Sequence, residues 1–271
     1  MDDIDRFLYE DLNEEGDITT KALFKSEIGK AKIIAKESMI LAGLNEAKIV
    51  FEKTGAKLEK NSEDGGKIQK YDCIAVIKGP FRSILSAERL ALNFLGRMSG
   101  IATQTQNIVS KCKQINPNIE ILATRKTTPG FRKYEKKAVE LGGGLSHRFG
   151  LFDAVMIKDN HFKAKGDFNS TIDITIKKIL DKNIIIEVDT EDQALQAAKK
   201  EIDVIMLDNF SADKARKVAN KIRSLNPDIK IEISGGITPS NIIEYASFAD
   251  RISLGYLTHT IKNKDFSLEI I

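Results

Sequence analysis

Beyond residue 118 the chain repeats one texture, in which short continuous apolar runs alternate with longer stretches of mixed polarity. The runs cover residues 119–123, 154–157, 184–188, 204–207, 231–233 and 252–254. Their spacing of about 20 to 35 residues is what successive βα units of a parallel sheet require. Near-continuous Val, Ile and Leu predicts strands buried on both faces. Before residue 79 the pattern is different. Residues 31–35, 57–60, 67–70 and 73–77 read as short strands, 45–54 as a helix, and Asp64-Gly65-Gly66 and Gly79-Pro80 as turns, so a small antiparallel sheet is predicted. Between the two textures, residues 86–113 place Leu90, Leu92, Phe94, Leu95 and Met98 in a helical stretch with a break expected near Ser99-Gly100. Arg89, Asn93 and Arg97 recur every four residues along one side of that helix.

Composition adds little and excludes some classes. The 271 residues are 42% hydrophobic and 30% charged with a net charge of +3, ordinary for a globular chain and too mild to imply a nucleic-acid or membrane surface. The acidic start, Met-Asp-Asp-Ile-Asp-Arg, lacks the apolar core of a signal peptide, and no apolar run approaches the roughly 18 residues of a membrane span. A cytoplasmic protein is expected. Cys73 and Cys112 form no CxxC pair and are read as reduced structural thiols.

Chemistry concentrates where the predicted strands end. Arg125 and Lys126 follow the first run, Lys158 and Asp159 the second, Glu187 and Asp189 the third, Asp208 and Asn209 the fourth, Ser234, Gly235 and Gly236 the fifth, and Gly255 the last. In α/β barrels the active site is assembled at this end of the strands. Residues 119–161 also carry Arg132, Lys133, His147, Arg148 and His161 around two glycine clusters, a density of cations suited to carboxylates and phosphates. Ser234-Gly235-Gly236-Ile237-Thr238 reads as a phosphate loop, with Pro239 at or near the first position of a following helix whose amides would face the anion. Glu187 and Asp208 either hold a divalent cation or pair with the basic groups opposite. Asp189 reads as a helix N-cap. Lys158 serves either as a fixed cation or as a Schiff-base lysine of the aldolase kind. His161 orders its loop, and His259 either reaches a phosphate or is structural.

Taken in order, these motifs resemble the quinolinate phosphoribosyltransferase family of NAD biosynthesis. The resemblance runs through Glu10-Asp11-Leu12, Gly16-Asp17-Ile18-Thr19-Thr20, Ala87-Glu88-Arg89, Met98-Ser99-Gly100-Ile101-Ala102-Thr103 and Thr124-Arg125-Lys126-Thr127-Thr128-Pro129-Gly130. It continues through Gly142-Gly143-Gly144, His147-Arg148-Phe149-Gly150-Leu151, Ile157-Lys158-Asp159-Asn160-His161, Leu207-Asp208-Asn209, Ser234-Gly235-Gly236-Ile237 and Leu257-Thr258-His259. It departs from the family pattern at Ala123, where many members have Asp, at Ser146, where Asn is usual, and at Tyr256, where a small residue is usual.

The resemblance implies an α/β fold: an N-terminal α/β sandwich domain, residues 1–103 joined by 262–271, and an open α/β barrel of about six parallel strands, residues 104–261. It implies homodimers or higher homo-oligomers with shared active sites. It assigns Arg125, Lys126, His147, Arg148 and Lys158 to quinolinate, with Arg89 arriving from the partner subunit. Glu187 and Asp208 would face the ribose and the Mg²⁺ of phosphoribosyl pyrophosphate, and Ser234, Gly235, Gly236, Gly255 and His259 the 5′-phosphate. The reaction implied is quinolinate plus phosphoribosyl pyrophosphate to nicotinate mononucleotide, CO2 and pyrophosphate. A nicotinate phosphoribosyltransferase, or a relative linked to molybdate transport, is the alternative within the same fold. An aldolase-like barrel and a binder of RNA or phosphate are the alternatives outside it, and neither nucleic acid nor membrane is expected as a partner.

Overall fold

A computed structural model describes residues 2–271. The chain divides into two compact units. The first comprises the described residues through Gln106, Lys133–Gly143 and Ile261–Ile271; the second comprises Asn107–Arg132 and Gly144–Thr260.

In the first unit, strands β1 (Ile28–Ala35), β3 (Lys57–Lys60) and β5 (Cys73–Pro80) join the chain's last strand, β13 (Phe266–Ile270), in an antiparallel sheet ordered β13-β1-β5-β3. A two-stranded ladder, β2 (Met39–Ile40) with β4 (Lys67–Ile68), lies apart from it. The C-terminal segment belongs to this unit because β13 supplies the edge ladder of β1, from Ala31 opposite Ile270 to Ala35 opposite Phe266. Helix Phe81–Lys113 is continuous, which corrects the expected break at Ser99-Gly100. Ser99 is consumed by tertiary bonds instead, its Oγ accepting from the Ala42 amide at 3.0 Å and donating to the Ala42 carbonyl at 3.1 Å. Residues 133–143 interrupt the barrel segment in sequence yet cluster with this unit. Tyr134 packs edge-on against Phe94 at 4.9 Å, and the fully buried Glu135 carboxylate takes the Arg97 guanidinium at 2.8 Å.

The second unit is a parallel sheet of seven strands rather than six, ordered β7-β6-β12-β11-β10-β9-β8. Its members are β6 (Glu120–Ala123), β7 (Leu145–Ser146), β8 (Val155–Ile157), β9 (Ile184–Val188), β10 (Val204–Asp208), β11 (Lys230–Ser234) and β12 (Arg251–Leu254). The additional strand, β7, has two residues, one of them the 47%-exposed Leu145, so it leaves no apolar run to read. β7 and β8 are the two edges and do not pair, which makes the barrel open. At the amino end of the strands, Glu120 binds Arg251 Nε at 2.6 Å and Lys230 Nζ at 3.0 Å, closing that end with paired charges. Met156 packs on buried Ile185, Val204 and Met206, which form apolar support further along the strands. Among the described residues, no helix is long and apolar enough to cross a membrane.

Candidate functional site

All seven strands of the second unit run in one direction, so their carboxyl ends meet at one edge, and there a cavity of about 710 Å³ opens. Arg125, Lys126, His147, Arg148, Lys158, Glu187, Asp208, Ser234, Gly235, Gly236, Gly255 and His259 all line it. Arg89 does not; it is exposed on helix Phe81–Lys113 in the first unit, beside Asp11, Glu15 and Asp17. His161 is absent from the cavity wall, and its Nδ1 accepts the Lys158 amide at 3.2 Å, which orders the turn after β8.

One side of the cavity is cationic by construction. Burial first, and the neighbouring Arg125 guanidinium second, hold the Arg148 pKa below the usual arginine range, while Glu187 acts in the opposite sense. The Arg148 guanidinium reaches the Ala154 carbonyl only at 3.4 Å and the weak acceptor Met156 Sδ at 3.5 Å, both long contacts. Arg125 Nε is buried without a hydrogen-bond partner. Two guanidiniums held together with donor capacity to spare are costly unless an anion joins them.

His147 stands between the Arg148 backbone and the Glu232 carboxylate. Its Nδ1 accepts the Arg148 amide at 2.8 Å, so the ring proton belongs on Nε2, 3.3 Å from Oε1 of the fully buried Glu232. The sequence reading missed Glu232. Its signal was a lone carboxylate inside the apolar run of β11, a residue type rarely buried without a partner. Ala123 and Ser146, the first two departures from the family pattern, are partners in the parallel register of β6 and β7.

Glu187 and Asp208 line the same cavity. Burial raises the Glu187 pKa most, Lys158 lowers it, Asp208 and Asp159 raise it again, and Arg148 lowers it.

The third side is backbone. Gly235 and Gly236 adopt φ of 81° and 62° after β11, conformations that glycine takes without penalty. The expected helix start at Pro239 is not found. The helix here is Ile242–Ala246, only five residues long, and the turn is organised by Asn241, whose Oδ1 accepts the Thr238 amide at 2.9 Å and whose Nδ2 donates to the Gly236 carbonyl at 3.0 Å. Exposed backbone of the glycine loop, rather than a helix terminus, faces the cavity. Asp189 is likewise not an N-cap; Thr190 caps helix Glu191–Ala197 through the Gln193 amide. Gly255 admits its neighbours, since a Cβ there would lie 2.7 Å from the His259 ring and 2.8 Å from Lys126 Cδ. Thr258 Oγ1 donates to the Lys126 carbonyl at 2.7 Å and ties the last loop to the first.

Clustered cations, a carboxylate pair and a glycine loop around one cavity define an α/β enzyme scaffold for small molecules bearing several negative charges. Comparison with known proteins narrows that class. The profile described as quinolinate phosphoribosyl transferase, C-terminal domain, matches residues 101–269, and the profile of the N-terminal domain matches residues 17–99. The chain belongs to the quinolinate phosphoribosyl transferase family. It is 40% identical over 245 residues to the probable carboxylating nicotinate-nucleotide pyrophosphorylase of Archaeoglobus fulgidus, covering 89% of this chain and 94% of that protein. It is 39% identical over 275 residues to the similarly named protein of Bacillus subtilis, covering 98% and 92%. The solved structure of the nicotinate-nucleotide pyrophosphorylase from Francisella tularensis superposes with a TM-score of 0.92 at 36% identity, covering 99% of this chain and 94% of that one.

Proposed function

We infer that this chain is a carboxylating nicotinate-nucleotide pyrophosphorylase: it joins the ring nitrogen of quinolinate to C1 of phosphoribosyl pyrophosphate, releases pyrophosphate, and loses the 2-carboxylate as CO2 to leave nicotinate mononucleotide. The observation that carries this reading is the pairing of Arg125 with Arg148, one carrying a buried donor without a partner and the other held only by long contacts. A dicarboxylate supplies the charge such a pair lacks.

In this reading Arg125, Lys126, His147, Arg148 and Lys158 bind and orient quinolinate, with Arg89 contributed by the partner subunit of a homodimer. Glu187 and Asp208 approach the ribose hydroxyls and offset the positive charge that develops at C1 as the pyrophosphate departs. Ser234, Gly235, Gly236, Gly255 and His259 hold the 5′-phosphate. No side chain acts as a nucleophile. Once glycosylated, the ring nitrogen is itself positive and stabilises the electron pair left at C2 when CO2 departs, so the protein's task is alignment and charge compensation. The Glu187 and Asp208 carboxylates, both lining the cavity, suit magnesium, which takes one or two carboxylates and completes its shell with substrate phosphate and water. Glu187 and Asp208 would hold it, and when bound it supplies charge neutralisation at the pyrophosphate.

Incubating the purified protein with Mg²⁺, phosphoribosyl pyrophosphate and either quinolinate or nicotinate, while following CO2 and mononucleotide, tests the assignment. Quinolinate should turn over and nicotinate far more slowly, because the missing 2-carboxylate leaves buried cations unpaired. Equal or faster turnover of nicotinate overturns it.

A further inference from the structure

Asn209 lies between Asp208 and the glycine loop after β11, and its atoms meet both. Its backbone is left-handed, φ 59°, a conformation that asparagine tolerates far better than most side chains. From that turn the residue makes three contacts. The backbone N–H donates to the Ser234 carbonyl at 3.0 Å. The side-chain Nδ2 donates to Asp208 Oδ2 at 2.7 Å. The other end of the amide fills the space beside Gly235, where a Cβ would lie 2.3 Å from Asn209 Oδ1 and 2.6 Å from Cγ. Gly235 is therefore glycine both for its φ of 81° and because Asn209 occupies the room a side chain would need.

We propose that Asn209 is a positioning residue for the phosphoribosyl donor, fixing the Asp208 carboxylate and bracing the Gly235 loop with one side-chain amide. This rests on the assignment of Asp208 and the loop to that donor. A carboxylate turns easily about its last torsion. A charge-assisted hydrogen bond at 2.7 Å selects one orientation and leaves the second oxygen for the ribose or a divalent cation. An amide suits this task because it orients the carboxylate without cancelling its charge. A lysine would neutralise it, and a second carboxylate would repel it.

Two variants separate this role from a purely backbone one. Asn209→Gly keeps the left-handed turn and loses the amide. Asn209→Asp keeps the shape and much of the tolerance for that turn but sets a carboxylate against Asp208. The KM for phosphoribosyl pyrophosphate should rise about tenfold in Asn209→Gly, the scale of one lost hydrogen bond to a charged group, while the KM for quinolinate stays within about twofold. Asn209→Asp should have the lower kcat/KM for the donor of the two. If Asn209 serves only the backbone, Asn209→Asp matches wild type or exceeds Asn209→Gly, and that order overturns the proposal; so does an equal rise in both KM values. Should the Asp variant melt well below wild type, the KM split of the Gly variant decides alone. Failure of the wild-type protein to form nicotinate mononucleotide would refute the functional reading instead, whereas an active wild type with unaltered variants refutes only the role of Asn209.

Discussion

Glu187 answers to two opposed demands. A carboxyl whose pKa is raised on folding, here by burial first and by like charge on Asp208 and Asp159 against the pull of Lys158 and Arg148, binds its proton more tightly in the folded chain. Above the folded pKa the charged form therefore destabilises the fold, and the penalty fades as pH falls through the folded value towards the unfolded one. Glu187→Gln should accordingly raise the melting temperature of chelator-treated protein near neutral pH, with the gain shrinking towards about pH 4 to 5. Turnover should fall by about a hundredfold, with quinolinate binding largely retained and the dependence on Mg²⁺ weakened. A lower melting temperature at neutral pH would make the carboxylate a structural partner of Lys158 instead. Lys158, Asp159 and Asp208 around it are legible in the sequence because each follows an apolar run whose direction fixes where its end lies, whereas Arg148 follows the two-residue β7, which offers none. Glu232 is not legible either, since its meaning depends on His147 arriving from the segment after β7, and no spacing along one chain encodes that. Asn209 stood in plain view beside Asp208, but its left-handed turn and its hold on Gly235 exist only once β10 and β11 are paired.

The same division holds for elements. All six apolar runs became strands, because a buried parallel strand needs a local composition that is hard to disguise. The helix continues through Ser99-Gly100 for the opposite reason. Glycine in a helix signals a weak point only when nothing outside the helix explains it, and here Gly100 and Gly96 admit the segment that leads into β13. A Cβ at 100 would lie 2.6 Å from the Lys262 carbonyl oxygen, and one at 96 would lie 2.9 Å from that of Lys264. The Lys264 amide also donates to the Gly96 carbonyl at 2.9 Å. Helix propensity alone favours Ala over Gly by about 1 kcal/mol. The clash is with backbone, which cannot swing aside, and overpacking of this kind costs about 1 to 3 kcal/mol. Gly100→Ala should therefore lower the melting temperature, by several degrees where the clash outweighs propensity most. A stabilised variant, seen by calorimetry or circular dichroism, would mean that the C-terminal segment yields and that the glycine is there for another reason.

For the whole molecule the question is how many chains make one active site. The sequence separated an antiparallel unit from a parallel one by texture, yet it gave no sign that residues 133–143 cluster with the former, because the partners that hold them, Phe94 and Arg97, are distant in sequence. Arg89 poses the same difficulty at larger scale. It is exposed on a helix of the first unit, while every other cation assigned to quinolinate lines the cavity of the second. If the proposed homodimer shares its sites, Arg89 completes the dicarboxylate pocket of its neighbour and not its own. Arg89→Ala and Lys158→Ala proteins should then each be inactive alone and complementary when mixed. A mixed dimer has one site lacking both residues and one with both intact. Free reassortment makes half of the dimers mixed, so recovery should approach about a quarter of wild-type activity, given isologous pairing. The measurement is turnover after subunit exchange, with exchange verified by native mass spectrometry of differently tagged chains. Verified exchange without recovery would return Arg89 to its own chain's site or remove it from catalysis, since no arrangement that places Arg89 across a dimer interface leaves the mixed species without one complete site.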